Sequence, residues 1–161
     1  MENITKFQVF IKESVENLRS GIQKNSLMFS TEFFKNIEIG QNTEKLISFV
    51  QTVLPSVLFK TVYDKVFISK EAKSAVTHSL TTCHFKETLE VIINDGCLNK
   101  SNKKLMEDSY GFIGVFIKNA DPQFFETNPE ITASMVNTLT IGVDSMPRIK
   151  KASTDVFKDI H

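Results

Sequence analysis

Apolar residues recur at steps of three and four along nearly the whole chain. Phe7, Ile11, Val15 and Leu18 are spaced this way, and so are Ile22, Ser26, Phe29, Phe33 and Ile37. Leu46, Val50, Val53, Val57 and Thr61 continue the pattern, then Ile68, Ala72, Ala75, Ser79 and Cys83. The later sets are Phe85, Leu89 and Ile92; Leu105, Ser109, Phe112 or Ile113, and Phe116; Ile131, Met135 and Leu139; and Ile149, Ala152, Val156 and Ile160. Each set predicts one stripe of an amphipathic helix, because 3.6 residues make a turn. No long polar–apolar alternation predicts a sheet. The expected helices cover residues 4–18, 22–37, 43–62, 68–83, 85–94, 102–118, 129–142 and 147–160.

The punctuation agrees with these bounds. Gly21 and Gly40 fall where helices are expected to stop, and Asn94-Asp95-Gly96 is a turn signal. Asn128-Pro129-Glu130 reads as an N-cap, a first-turn proline and a first-turn acid. Ser145 before Pro147 is a weaker start of the same kind, and Pro55 predicts a kink inside its helix and not a break. Eight helices pair into four antiparallel hairpins, with inner turns near residues 20, 65, 100 and 145. That spacing is about 40 residues, the period of HEAT repeats. A lone hairpin cannot bury its apolar face, whereas stacked hairpins bury a continuous core. The expected fold is therefore all-α, a HEAT-type α-solenoid of about four hairpins in one domain over residues 1–161. A compact helical bundle is the alternative.

Composition narrows the partner. The 161 residues are 41% apolar and 24% charged, ordinary for a globular protein. Nineteen basic residues balance 19 acidic ones, which does not favour nucleic acid as the partner. The longest apolar run, around Phe112–Ile117, is too short to span a bilayer, so no membrane role is expected. Met1-Glu2-Asn3-Ile4 lacks the apolar run of a signal peptide, which predicts a cytosolic location. Cys83 and Cys97 do not form a CxxC pair, and three His complete no zinc set; free thiols, buried or half-buried, are expected and no cofactor.

The neutral total hides an uneven distribution. In a solenoid, the turns inside hairpins share one edge. That edge collects Arg19, Lys24, Lys60, Lys65, Lys70, Lys100, Lys103, Lys104, Arg148, Lys150 and Lys151, with Asp64, Glu71 and Asp144 as the nearest acids. The opposite edge carries Glu38, Glu44, Glu87, Asp121, Glu126 and Glu130, offset mainly by Lys35, Lys45, Lys86 and Lys118. A row of cations on a rigid scaffold suits an acidic protein surface, raising the encounter rate and fixing orientation.

No P-loop, GxGxxG, HExxH or GxSxG motif is present, and an enzyme is not expected. Gly111-Phe112-Ile113-Gly114 has the bare GxxG spacing of a KH loop, but it lies in a helical stripe and predicts close helix packing. His78 and His84 flank Cys83 without a fourth ligand at suitable spacing. Phe124-Phe125 falls in a connection, either plugging the groove between repeats or marking a second contact site.

The turns also carry a family resemblance. Val15-Glu16-Asn17-Leu18-Arg19-Ser20-Gly21-Ile22 looks like the leucine–arginine–serine turn of CLASP-type TOG domains, and Leu54-Pro55-Ser56-Val57-Leu58 like their leucine–proline motif. Asp64-Lys65-Val66-Phe67-Ile68-Ser69 with Ala72 resembles the next turn, and Lys100-Ser101-Asn102-Lys103-Lys104-Leu105 the one after it. Met146-Pro147-Arg148-Ile149-Lys150-Lys151-Ala152 resembles the family's proline–x–valine–arginine turn. The resemblance covers most of the chain. It implies a module, expected as a monomeric domain, that binds tubulin or microtubules and regulates microtubule dynamics in the cytoplasm and cytoskeleton, including cilium or spindle. By resemblance, Arg19 and Lys24 stand at the first tubulin-facing turn, Lys65 at the second, Lys100, Lys103 and Lys104 at the third, and Arg148, Lys150 and Lys151 at the fourth. The chain departs from the family in having four repeats where a full domain has about six. It has no Trp, and Met106 stands where many members have a basic residue. A HEAT scaffold with a non-tubulin partner is therefore the alternative, and an excerpt of a longer array is also open.

Overall fold

The computed structural model describes residues 2–40 and 43–159; Ile160, placed on the last stripe, lies outside them. Among the described residues the structure is all-helical. The chain divides into two compact units, Met1–Cys83 and His84–His161.

The N-terminal unit contains α1 (Glu2–Glu16), α2 (Ser20–Asn36), α3 (Thr43–Lys60) and α4 (Val66–Thr82). α1 packs on α2 and α3 on α4, giving two antiparallel hairpins; α1 also packs on α3, and α2 on α4. First helices thus stack on first helices and second on second, the HEAT manner of stacking. Pro55 lies inside α3, which runs through it unbroken as expected.

The C-terminal unit repeats this plan. α5 (Lys86–Val91) continues into a π-helical turn, Ile92–Cys97, and α6 (Lys103–Asn119) completes the third hairpin. A short α7 (Pro122–Thr127) leads to α8 (Pro129–Val143) and α9 (Pro147–Asp159), the fourth hairpin. α5 packs on α8, and α6 on α9. Three expected boundaries change. Asn94-Asp95-Gly96 does not end a helix but lies within the π turn, which the Leu98 N–H closes on the Ile93 carbonyl at 2.9 Å. Phe124-Phe125 sits in α7, where buried Phe124 packs edge-on against Phe116 at 5.1 Å and so plugs the space beside α6. Gly21 lies inside the first turn of α2 and stops nothing.

The largest correction concerns the first two stripes. Leu18 falls in the turn after α1 and is 95% exposed, while Phe7, Ile22 and Phe29 are also exposed. The buried face of α2 is Gln23, Ser26, Leu27, Ser30, Thr31 and Phe34, about one position round from the apolar stripe. Its hydroxyls need no distant partner. Ser26, Ser30 and Thr31 donate to the carbonyls of Ile22, Ser26 and Leu27 at 3.0, 2.8 and 3.1 Å. These small, self-satisfied side chains let α2 lie close to the small Ala72, Ala75 and Ser79 of α4, all fully buried. Phe7, Phe29 and Phe33 instead gather with buried Phe34 and Phe49 in an aromatic cluster, the tightest pair being Phe33–Phe49 at 4.3 Å between ring centres.

In the C-terminal unit Phe112 and Ile113 are buried, as the stripe predicts. The GxxG spacing resolves into two different glycines. A β-carbon at Gly114 would meet Val156 at 3.1 Å, whereas one at Gly111 would meet nothing within 4 Å. The tightest point is Gly142 on α8. Its absent side chain leaves room for the Tyr110 ring, whose hydroxyl donates to the Thr138 carbonyl at 3.1 Å. Cys83 and Cys97 are free and buried. Burial pushes the Cys83 thiol from 9.0 up to about 12 and raises Cys97 as well.

Candidate interaction surface

Each unit carries two of the basic turns. In the N-terminal unit, residues 17–19 join α1 to α2 and residues 61–65 join α3 to α4. The first turn is held by Asn17. Its side-chain oxygen accepts from the Arg19 N–H at 2.9 Å, and its carbonyl accepts from the Gln23 amide, so Arg19 stands exposed at the N-cap of α2. In the second turn, Thr61 donates to the Leu58 carbonyl at 2.7 Å and Ser69 donates back to the Thr61 carbonyl. Lys60 packs its ammonium 4.4 Å from the centre of the Tyr63 ring, so it belongs to the turn's own packing. Lys65, exposed at the N-cap of α4, donates from Nζ to Ser20 Oγ at 2.8 Å.

That one bond spans 45 residues of sequence. It places the two turns side by side, as the repeat pattern requires, with Arg19 and Lys65 on one surface. Two apolar residues accompany them: Leu18, 95% exposed, and Val66, 79% exposed. Sequence reasoning assigned Leu18 to the core and gave Val66 no exposed role. The available signal was their position, one residue from a cation at a helix start. Lys24 is half-buried one turn into α2, farther from the turn than the charge pattern implied.

In the C-terminal unit the turns are residues 98–102 and 144–146. Asn102 caps α6, its side chain accepting from the Leu105 N–H at 3.0 Å, and Ser101 bonds Asn99 at 2.6 Å. Lys100 is exposed in this turn, and Lys103 and Lys104 are exposed as the first residues of α6. Ser145 donates to the Ile141 carbonyl at 3.0 Å, and Pro147 opens α9, leaving Arg148, Lys150 and Lys151 exposed on its first turns. The starts of α6 and α9 share a cleft of about 650 Å³, which brings Lys103, Lys104 and Arg148 onto one lining. Lys100, Lys150 and Lys151 do not line it. Sequence spacing placed these turns near one another but could not show a hollow.

Among the described residues, no cluster of His, Cys, Asp or Glu could hold a metal ion, and no helix is long and apolar enough to cross a membrane. His78 and His84 are half-buried; the His84 ring lies edge-on to Phe116 at 5.6 Å, and His78 Nδ1 lies 2.9 Å from the Ser74 carbonyl. No protein-family model matches the chain, and a search of curated proteins finds no match.

Proposed function

We propose that this chain is a non-catalytic, tubulin-binding module of the TOG kind, which meets an acidic protein surface through the paired basic turns of its units and so regulates microtubule dynamics in the cytoplasm. The supporting observation is the turn pair of the N-terminal unit: Lys65 bonded to Ser20 at 2.8 Å, beside Arg19 and the nearly bare Leu18 and Val66. An exposed leucine and valine contribute little to folding where they stand, but they supply apolar contact area to a partner. Cations at their sides orient an acidic partner and speed its approach. The resemblance of these turns to those of TOG domains supplies the name of the partner.

The test is gel filtration with free tubulin and co-sedimentation with microtubules at low salt. Both interactions should weaken steeply as salt is added. Reversing Lys65, Lys103, Lys104 and Lys150 to Glu should abolish binding and leave the melting temperature nearly unchanged, because exposed charges add little to stability. Reversing Glu38, Glu126 and Glu130 to Lys should leave binding as it was. Absence of any interaction in both assays, or equal loss from both reversals, would overturn the proposal. A second reading, a HEAT scaffold for another protein, is favoured by the absence of Trp from the chain; it predicts no tubulin binding with the same stability profile.

A further inference from the structure

Beyond the paired turns, we infer that the outer face of the first hairpin is a dimerisation surface, on which α1 packs antiparallel against α1 of a second copy of this chain. Within the N-terminal unit α1 stacks on α3 and α2 on α4, and buried Ile11, Val15, Leu27 and Phe34 serve that packing. The same two helices carry further apolar residues that the fold leaves in water. Phe10 is 62% exposed and Val9 41%. Exposed Phe7 lies one helical turn from Phe10 and meets exposed Phe29 of α2 edge-on at 5.7 Å, so the apolar surface runs from one helix to the other. In repeat proteins a hairpin face left to water is polar. A contiguous exposed apolar patch marks a contact surface, whereas single exposed apolar residues do not.

Two features of α1 select a second copy as the occupant. The first is symmetry. Lys6, Val9, Phe10 and Glu13 are exposed and line one shallow dent of about 250 Å³ with Thr5. Their order, cation–x–x–apolar–apolar–x–x–anion, reads the same in both directions with the charge sign reversed. An antiparallel pair centred between Val9 and Phe10 sets Val9 of each copy against Phe10 of the other. It sets Lys6 against Glu13 at both ends at once. That is the reciprocal pattern of a two-fold contact, in which residue i meets j and j meets i. A parallel pair would set like charges together. Lys6 already has an interaction within its own chain. Exposed lysines exchange partners at little cost, so the cross-copy pair sets the register and the apolar centre supplies the affinity. The second feature is size. α1 and α2 are 15 and 17 residues long. At 1.5 Å per residue and about 10 Å of width per helix, two such faces joined bury on the order of 1,000 Å², where specific interfaces begin.

The full chain would be followed by sedimentation equilibrium and by gel filtration with light scattering, from about 1 μM to about 1 mM. The mass should rise from monomer, the state the resemblance implies, to dimer and no further, because a two-fold contact closes. Phe10→Glu should leave the chain monomeric throughout. Its melting temperature should match that of the dilute parent, since the side chain is exposed. Lys6→Glu alone and Glu13→Lys alone should each weaken the dimer about tenfold or more, because each sets like charges opposite one another at both ends. The two changes together should restore the dimer to within about threefold of the parent. A chain still monomeric at about 1 mM would leave the face to a different protein and overturn the inference. A dimer that survives Phe10→Glu, a double swap no better than the single changes, or masses growing beyond the dimer would overturn it as well. None of these residues belongs to the basic turns and tubulin is absent from the measurement, so its failure and a failed tubulin assay are read separately.

Discussion

The two units use the same hairpin stacking but close it differently. In the N-terminal unit the second helices, α2 and α4, meet through serines, threonine and alanines, and their starts are drawn together by the Lys65–Ser20 bond. In the C-terminal unit the corresponding α6 and α9 meet with Gly114 against Val156, and the Tyr110 ring of α6 fills the notch at Gly142 of α8. Their starts share a cleft. Repeat architecture therefore fixes where the turns go, while the side chains at the helix starts decide whether a turn pair is a flat, bridged surface or a hollow.

The strongest challenge to this comparison is truncation of the two cores. Leu27→Ala in the N-terminal unit and Ile113→Ala in the C-terminal unit each remove a fully buried side chain and should cost about 2–5 kcal/mol, read by denaturant titration. Phe112→Ala should cost a similar amount. Leu18→Ala, the last position of the first sequence stripe but exposed in the fold, should stay within about 0.5 kcal/mol. If Leu18→Ala were as costly as Leu27→Ala, the exposure of Leu18 in the turn after α1 would be wrong.

Glycines sharpen the contrast at lower energy. Gly142→Ala would set a β-carbon 2.5 Å from the Tyr110 ring and 2.9 Å from the Ser153 side chain, and should cost about 1–3 kcal/mol. Gly111→Ala, with nothing within 4 Å, should instead stabilise by about 0.5–1 kcal/mol, because alanine orders a helix at lower entropic cost. Thermal melts of the pair should move in opposite directions; movement in the same direction would refute the packed notch.

The buried thiols predict an alkaline limit of comparable size. Cys83 titrates at 9.0 when free of its surroundings and at about 12 in the fold. Below pH 9 both states hold the proton and stability is unaffected. Between these values only the unfolded state releases it, so stability falls as pH rises, by about 1.4 kcal/mol per pH unit for that group. Cys83→Ala should reduce the slope of stability against pH above 9. An unchanged slope would mean that the thiol is not buried in solution.

The smallest effect is at the bridged turns. Lys65→Ala removes one exposed hydrogen bond and should shift stability by no more than about 0.5 kcal/mol. It should nevertheless lower tubulin affinity, if the bridged surface is the contact. Loss of several kcal/mol would show that the bridge is a structural clamp.

The sequence by itself determined the helical content, the hairpin turns and the burial of Phe112 and Ile113, because these follow from local periodicity and punctuation. It also located the cations at the starts of second helices, since Arg19, Lys65, Lys103 and Arg148 sit beside recognisable turns. Only the tertiary structure decided which face of α2 is buried. Close helix approach there favours small hydroxyl residues over larger apolar ones, and a periodicity count weighs the larger ones more heavily. The π turn after α5, the plug of Phe124, the exposure of Leu18 and Val66, and the cleft beside Arg148 were likewise settled by packing. Each depends on what a distant segment places against it, and residues such as Ser20 and Lys65, 45 positions apart, carry no mark of that meeting in the chain.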